Sequence, residues 1–534
     1  MIHRIRGLIV PGLLLLSLLL WAASAFYEAA RLGLFVTLPL LALGLVDLIQ
    51  PWHSLLRNYP ILGHLRFLLE DAGPELRQYI VEANKEGRPF DRDWRSLIYQ
   101  RAKGEPDKKP FGTELDVYAP GYSWLGHSMA PHSAPEDPVA ALRCRFGGPE
   151  CRQPYDASIF NISAMSFGAL SGHAIRALNR GAREGGFAHN TGEGGISTHH
   201  RAEGGDLIWQ IGTGYFGCRT PEGGFDAERF ESQARSDEVK MIEIKISQGA
   251  KPGHGGILPA VKVSREIAAV RGVPAGEICI SPPGHSAFGT PTGLLEFVAR
   301  LRELSGGKPV GFKLCVGDPL EFMGVCRAMH ETGLTPDFIT VDGAEGGTGA
   351  APIEFSDHVG MPVTEALVLV HNALVGIGVR ERVRIIASAK LVTGFALARA
   401  VALGADTINS ARGFMFALGC IQAQRCHTNK CPVGVATQSR WLARALIVDQ
   451  KAKRVTNFHC KTVEAMAEVV AAAGFDHPSE LSPRYVYQRV SPWEIRPLSA
   501  LYPHVRPGAL LGPRGGGFLR PYWEAASATE FRSH

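Results

Sequence analysis

Between residues 156 and 475, short β-branched runs alternate with stretches of helical periodicity, and few folds accept that rhythm. The runs are 157–165 (ASIFNISAM), 241–246 (MIEIKI), 277–281 (EICIS), 309–315 (PVGFKLC), 337–342 (DFITVD), 383–388 (VRIIAS) and 406–410 (DTINS). Segments with helical spacing of apolar residues lie between them, at 261–271, 291–305, 361–378 and 393–404. Parallel strands need a long crossover to return the chain to the same edge, and a helix provides it. The number of units and the length of chain predict an α/β fold, a (β/α)8 TIM barrel over 156–480. A doubly wound sheet is the competing architecture, but no run is followed by G-x-G-x-x-G.

The chain ahead of this region reads differently. Residues 8–27 (LIVPGLLLLSLLLWAASAFY) carry no charge and are long enough to cross a bilayer as a helix. A second apolar run, 32–46, follows Glu28 and Arg31 and extends to about a bilayer's span if continued to residue 50. Arg4 and Arg6 precede the first run, and Trp21, Tyr27 and Trp52 lie near the ends, where aromatic anchors sit. Residues 1–52 are therefore expected to form a hairpin of two transmembrane helices in the inner membrane, with the bulk of the chain facing the cytoplasm. The rival is a cleaved signal peptide ending near Ala23-Ser24-Ala25. The second apolar run and the scattered, unpaired cysteines speak for the hairpin. Residues 53–155 read as a helical extension and linker, and 481–534, rich in Pro, Gly and Arg, as an irregular tail. The net charge of +5 is small and dispersed, so nucleic acid is not an expected partner.

In a barrel of this kind the chemistry gathers where strands end. Met165-Ser166 follows the first run. Glu193 lies in Asn190–Gly195 (NTGEGG). Gln248 and Lys251 follow MIEIKI, which itself ends near Lys245. Lys313 ends GFK, and Gly346, Gly347 and Thr348 follow DFITVD. Lys390 and Gly394, then Arg412 and Gly413, follow the last two runs, where barrels commonly hold a phosphate on backbone amides. A phosphate-bearing cofactor is the expectation. A lysine ending a buried strand needs an anion or loses its proton. Lys245, Lys251 and Lys313 would suit the edge of a flavin ring that gains negative charge on reduction.

One further stretch stands apart: Cys420, Cys426 and Cys431, spaced C-x5-C-x4-C and closed by Pro432. Thiolates select zinc, copper(I) or iron–sulfur clusters. No second short clip completes a zinc site. Three thiolates with unequal gaps suit a cluster of three irons, one thiolate each; three unpaired buried cysteines are the plainer alternative. The stretch is expected after the last barrel helix, beside the cofactor.

The segments MSFGALS, NTGEGG, QGAKPGxGG, DGAEGGTGAAP and CIQAQRCHTNKCPVGVATQ occur here in order. In this they resemble the FMN-binding synthase domain of glutamate synthase over about residues 155–450. The resemblance implies FMN, a 3Fe-4S cluster on Cys420, Cys426 and Cys431, and reductive amination of 2-oxoglutarate to glutamate with ammonia, a reaction at CH–NH2 groups. It also implies that Ser166, Lys245, Gln248, Lys251, Lys313 and Arg271 contact FMN or the oxo acid, and that Glu193 lies near the ammonia inlet. Lys251, Glu193 and Arg271 are the expected catalytic residues. Arg271 suits a carboxylate because its fork can bind in a bidentate way.

The departures concern the substrate. His254 and Ile257 stand where the family has Glu and Gln, and Thr292 where it has a glutamate linked to the electron donor. An aliphatic side chain cannot replace an amide's hydrogen bonds. No stretch resembles a cysteine glutaminase, a glycine-rich β-helix or a dinucleotide fingerprint. The chain is thus expected to use free ammonia or an ammonia-supplying partner, and an external electron donor such as a ferredoxin or a membrane carrier. Three other readings stay open: the same machinery acting on another oxo acid or amine, an electron-transfer subunit without substrate chemistry, and a degenerate scaffold that binds no FMN.

Overall fold

The structure, a computed structural model, describes residues 8–71 and 87–532. Arg4 and Arg6 fall outside the described residues. Eight parallel strands close into a barrel: β1 (Phe160–Ile162), β2 (His189–Asn190), β3 (Leu207–Ile211), β4 (Val239–Lys245), β5 (Val310–Leu314), β6 (Phe338–Asp342), β7 (Arg384–Ser388) and β8 (Thr407–Ser410). Each pairs with its neighbours in chain order, and β8 returns to β1 with Ile408 opposite Phe160. Ring closure removes every free sheet edge from the core.

Two runs behave differently from expectation. Cys279–Ile280, in the run 277–281, pairs antiparallel with Ile257–Leu258 in a small ribbon outside the barrel. The run is β-branched but ends at Pro282-Pro283, and Ile278 and Ile280 stay exposed. The run 157–165 splits. Tyr155–Ser158 pairs antiparallel with Arg143–Phe146, and only Phe160–Ile162 enters the barrel. Two barrel strands are missing from those runs: the two-residue β2, and β3, LIWQI, every residue of which is buried.

Two apolar helices, α1 (Ile9–Ala23) and α2 (Glu28–Ile49), form an antiparallel pair. Glycines allow the approach: a Cβ on Gly33 would meet Leu20 at 3.0 Å, and one on Gly44 would meet Val10 at 2.9 Å. By length and composition α2 is long enough to cross a membrane, whereas α1 is a shorter apolar helix of 15 residues. The chain then turns through α3 (Ser54–Asn58) and α4 (Leu62–Asp71), and α5 (Arg92–Lys103) packs against the last helix of the outer ring. Asp47, buried near the end of α2, binds His64 Nε2 at 2.8 Å and the Ile61 N–H at 2.7 Å, which fixes the exit.

The outer ring includes α6 (Gly172–Gly185), α7 (Pro291–Leu304), α8 (Pro319–Thr332), α9 (Val363–Gly376), α10 (Gly394–Ala402), α11 (Arg412–Leu418) and α12 (Val448–Ala472). α12 packs between α10 and α6 and completes the ring. The cysteine stretch therefore precedes the final barrel helix instead of following it. It belongs to the β8–α12 crossover, which is a strand-end loop like the others.

The segment after 480 is not irregular. Val486–Arg489 joins Ser123–Leu125 and Ile495–Pro497 in a three-stranded antiparallel sheet. Farther on, Trp523 is buried on α8, with Arg327 stacked 4.2 Å from its ring.

Candidate active site and thiol loop

The strand ends surround a cavity of about 230 Å³. Met165, Ser166, Glu193, Lys245, Gln248, Lys251, Arg271, Gly347, Thr348, Arg412 and Cys426 all line it. Residues far apart in sequence thus meet at one mouth.

Its acid–base centre is an ion pair. Lys245 Nζ, at the end of β4, lies 2.7 Å from Glu193 Oε1. Burial alone would raise the Glu193 carboxyl, but Lys245, with Arg271 and Lys251 behind it, holds it below its ordinary value. Lys251 is 3% exposed and donates to the Gly255 carbonyl at 2.9 Å. Burial and the neighbouring Lys245 draw its pKa down. Arg271 ends the helix Arg265–Arg271, donates to Phe167 O at 3.3 Å and lies over the Phe216 ring. Its Nε is buried without a hydrogen-bond partner among the described residues. His285 Nε2 sits 2.9 Å from the Lys245 carbonyl, which can only accept, so Nε2 carries the proton and Nδ1 accepts from Tyr215 Oη at 3.0 Å. Burial lowers His285 to about 4, which keeps it neutral.

Lys313 does not line the cavity. It is buried beneath it, 3.3 Å from Asp342. Burial opposes its charge, but Asp342 and Glu243 outweigh burial and raise its pKa. Glu243 is fully buried and accepts from Asn190 (2.8 Å), Gln210 (2.7 Å) and Thr340 (2.6 Å), one donor from each of three other strands. The sequence reading missed this residue. The signal was present, because period-two alternation puts Glu243 on the same face of MIEIKI as Lys245.

The opposite end of the cavity is cationic and close-packed backbone. A Cβ on Gly249 would run into the Gly343 carbonyl, so only glycine fits there, while one on Gly347 would press on the Arg412 guanidinium, which would have to swing aside. Lys390 lies in electrostatic reach of Arg412. Gly346, Gly394 and Gly413 are not among the lining residues. Gly394 abuts the Met466 backbone of α12, and Gly413 abuts Ser410 Oγ, so these two serve close packing.

The thiol loop borders the cavity through Cys426. Among the described residues no three His, Cys, Asp or Glu converge on a single metal ion. Cys420, Cys426 and Cys431 are free thiols in electrostatic reach of one another, with Arg412 facing Cys420 and Cys426. Lys262, absent from the sequence reading, is buried at the cavity wall, donates to Ala169 O at 3.1 Å and faces Cys426 and Cys431. Burial lowers it to about 8. The loop is held from outside by the extension: Tyr99 Oη donates to Cys420 O at 2.6 Å, the Phe90 N–H donates to Gln422 Oε1 at 3.2 Å, and Asn58 donates to Pro432 O at 3.1 Å.

Of the departures, Ile257 lines the main cavity. His254 lines a smaller void behind Glu193, with its ring against Phe355. Thr292 caps no cavity; its N–H and Oγ both donate to Ala528 O, at 3.0 and 2.9 Å.

A parallel barrel with an acid–base pair, a glycine cradle and a three-thiol loop at one mouth has the anatomy of a redox enzyme. The chain belongs to the glutamate synthase family: a family model described as a conserved region in glutamate synthase matches residues 152–476. It is 39% identical over 482 residues to the glutamate synthase large subunit-like protein YerD of Bacillus subtilis, covering 82% of this chain and 90% of that one. It is 35% identical over 316 residues to the archaeal glutamate synthase (NADPH) of Methanocaldococcus jannaschii, covering 59% of each chain. Against the glutamate synthase (NADPH) large chain of Bacillus subtilis it is 34% identical over 324 residues, which is 59% of this chain and 20% of that one. It is accordingly an oxidoreductase of glutamate synthase type.

Proposed function

We propose that this chain is a membrane-anchored, FMN- and iron–sulfur-dependent enzyme that reductively aminates an oxo acid of the 2-oxoglutarate class, yielding an amino acid such as glutamate. The observation that carries the reading is the convergence of Glu193, Lys245, Lys251 and Arg271 on the same cavity as the Gly347–Arg412 cradle and Cys426.

The residues fit both cofactors. Gly347, Thr348, Arg412 and Lys390 offer backbone amides and cations to a phosphate, with Ser166, Lys245 and Gln248 toward the far end for a flavin ring. FMN bound there would supply the hydride. Three thiols that share one neighbourhood suit a cluster in which each thiolate holds its own iron. Such a 3Fe-4S cluster on Cys420, Cys426 and Cys431 would relay single electrons from an outside donor, a ferredoxin or a membrane carrier.

The chain's own groups then divide the work. Arg271 has an unpartnered N–H for a substrate carboxylate. Glu193, held ionised, would accept a proton from ammonium arriving from solution or a partner. Lys251, with its pKa drawn down, would deliver a proton to the departing oxo oxygen. The hairpin of α1 and α2 would anchor the chain in the inner membrane with the barrel in the cytoplasm. Ile257 at the cavity wall favours a second reading, in which another oxo acid or amine takes the place of 2-oxoglutarate or ammonia.

The test is an anaerobic titration of the reduced flavin. Reoxidation by 2-oxoglutarate plus ammonia, with glutamate formed in proportion, is the expected result. Reduced flavin that ignores that pair but responds to another oxo acid or amine selects the second reading. A response only to ferredoxin or quinone refutes substrate chemistry.

A further inference from the structure

The junction between the apolar hairpin and the barrel carries charge that its own residues do not answer. Lys451, in the first turn of α12, is 4% exposed, yet no described residue gives its ammonium a hydrogen bond or an ion pair. It is wedged behind the thiol loop: a Cβ on Gly419 would lie 3.2 Å from its Nζ. α12 itself begins without a side-chain cap. The charges nearest His53, the residue at which the chain leaves the hairpin, are Arg454, Lys451 and Lys103. Arg57 and Arg444 face each other on the same flank, where Asn58 donates to the Leu442 carbonyl. Ser54 adds a buried hydroxyl with no partner.

Among the described residues the nearby acids are already engaged, and Glu105 also faces Arg454. Asp47 holds His64, Asp107 holds Arg101, Asp449 pairs with Arg180, and Glu105 pairs with Lys103. Burial, with Arg454 beside it, draws Lys451 down to about 7, so its ammonium keeps its charge only if an anion arrives from outside. Apolar surface lies at the hairpin side of the junction. Trp52 is exposed where α2 ends, and α4 presents exposed Leu65, Leu68 and Leu69 beside the hairpin. A free anion would gain nothing from those leucines, but an anion joined to acyl chains would.

We propose that this junction binds the phosphodiester headgroup of an anionic membrane lipid, with Lys451 and Arg454 on the phosphate and the acyl chains against α2 and α4. The site rests on the reading of α1 and α2 as a membrane hairpin. Since Lys451 abuts Gly419 and Asn58 holds Pro432, an occupied site would brace both ends of the thiol loop.

Full-length protein in neutral detergent is reconstituted with vesicles of phosphatidylcholine alone or mixed with phosphatidylglycerol. Retained lipid phosphorus and the thermal midpoint are then read. Phosphatidylglycerol should be retained and should raise the midpoint, while inorganic phosphate at the same concentration should not. Lys451→Met and Arg454→Gln should each weaken retention by about fivefold, the usual worth of one basic residue at an anionic surface. Arg454 is only half-buried, so its variant keeps the test alive if the other fails to fold. Equal retention by wild type and Arg454→Gln, equal effects of the two vesicle types, or full reproduction by phosphate overturns the proposal. If the protein enters neither vesicle, the hairpin reading falls and the site with it. If it enters both but retains phosphatidylglycerol no better than phosphatidylcholine, only the headgroup site falls.

Discussion

Glu193 and Lys245 show how one contact sets the charge of a whole cavity. The carboxyl is held below its ordinary value of 4.5, so the folded state binds its proton less tightly than the unfolded chain does. Its contribution to stability is complete above that value and drains away as pH falls through the lower folded value. Glu193→Gln leaves Lys245 without its acid. At neutral pH this should cost about 3 kcal/mol, the low end for removing one partner of a buried pair. The gap between the thermal midpoints of wild type and variant should be widest near neutrality and close on acidification below 4.5; a gap independent of pH would contradict the pairing. Ile257 makes the opposite kind of argument, from a missing polar group. If the oxo acid lies against it, Ile257→Gln should raise kcat/KM for 2-oxoglutarate about tenfold or more, because hydrogen-bonding groups discriminate far more strongly than apolar contacts. Unchanged kcat/KM would place the oxo acid elsewhere.

At the scale of elements, the β-branched runs announced most of the barrel, because its strands are buried on both faces and read as continuous apolar stretches. LIWQI escaped because its inward Gln210, which serves Glu243, breaks the apolar run. EICIS was mistaken for a barrel strand because composition cannot tell a core strand from a two-residue ribbon. The glycine clusters and the three cysteines were legible as chemistry, since the residue types themselves are the signal. Lys262 was not, because nothing in LPAVKVS reveals that its lysine turns toward the thiols. The C-terminal sheet hid behind Pro- and Gly-rich composition, and its partner strand lies more than three hundred residues away at Ser123–Leu125. The thiol loop yields a prediction of its own. Gln422, Gln424 and Asn429 all adopt positive φ, so the loop holds its shape through the clamps from Phe90 and Tyr99. If the three thiols hold the proposed cluster beside a separate flavin site, Cys426→Ser should abolish the cluster's visible absorbance and leave flavin bound. Tyr99→Phe, which removes one hydrogen bond worth about 1 kcal/mol, should only speed bleaching by a chelator. Loss of flavin in Cys426→Ser would mean the two sites are one.

At the scale of the whole molecule, the hairpin and the barrel are separate bodies of chemistry joined through residues 53–103. The hairpin packs largely on itself, with Leu20 over Gly33 and Val10 over Gly44. Its exit is fixed by Asp47, whose partners Ile61 and His64 lie beyond it. The clamps on the thiol loop come from Asn58, Phe90 and Tyr99, none of which is in the hairpin. Removing residues 1–52 takes away Asp47 and the two apolar helices but leaves every one of those clamps. The shortened chain should therefore be soluble without detergent and keep flavin absorbance at full stoichiometry. It should hold the proposed cluster less firmly, because His64 and Ile61 lose their anchor and Asn58 lies between them and the loop. Flavin content and the rate of chelator bleaching, compared with the full chain, measure the two effects separately. If flavin is lost on truncation, the hairpin is part of the barrel's fold and not merely its anchor. If the bleaching rate is unchanged, the path from hairpin to thiol loop through Asn58 carries no mechanical coupling.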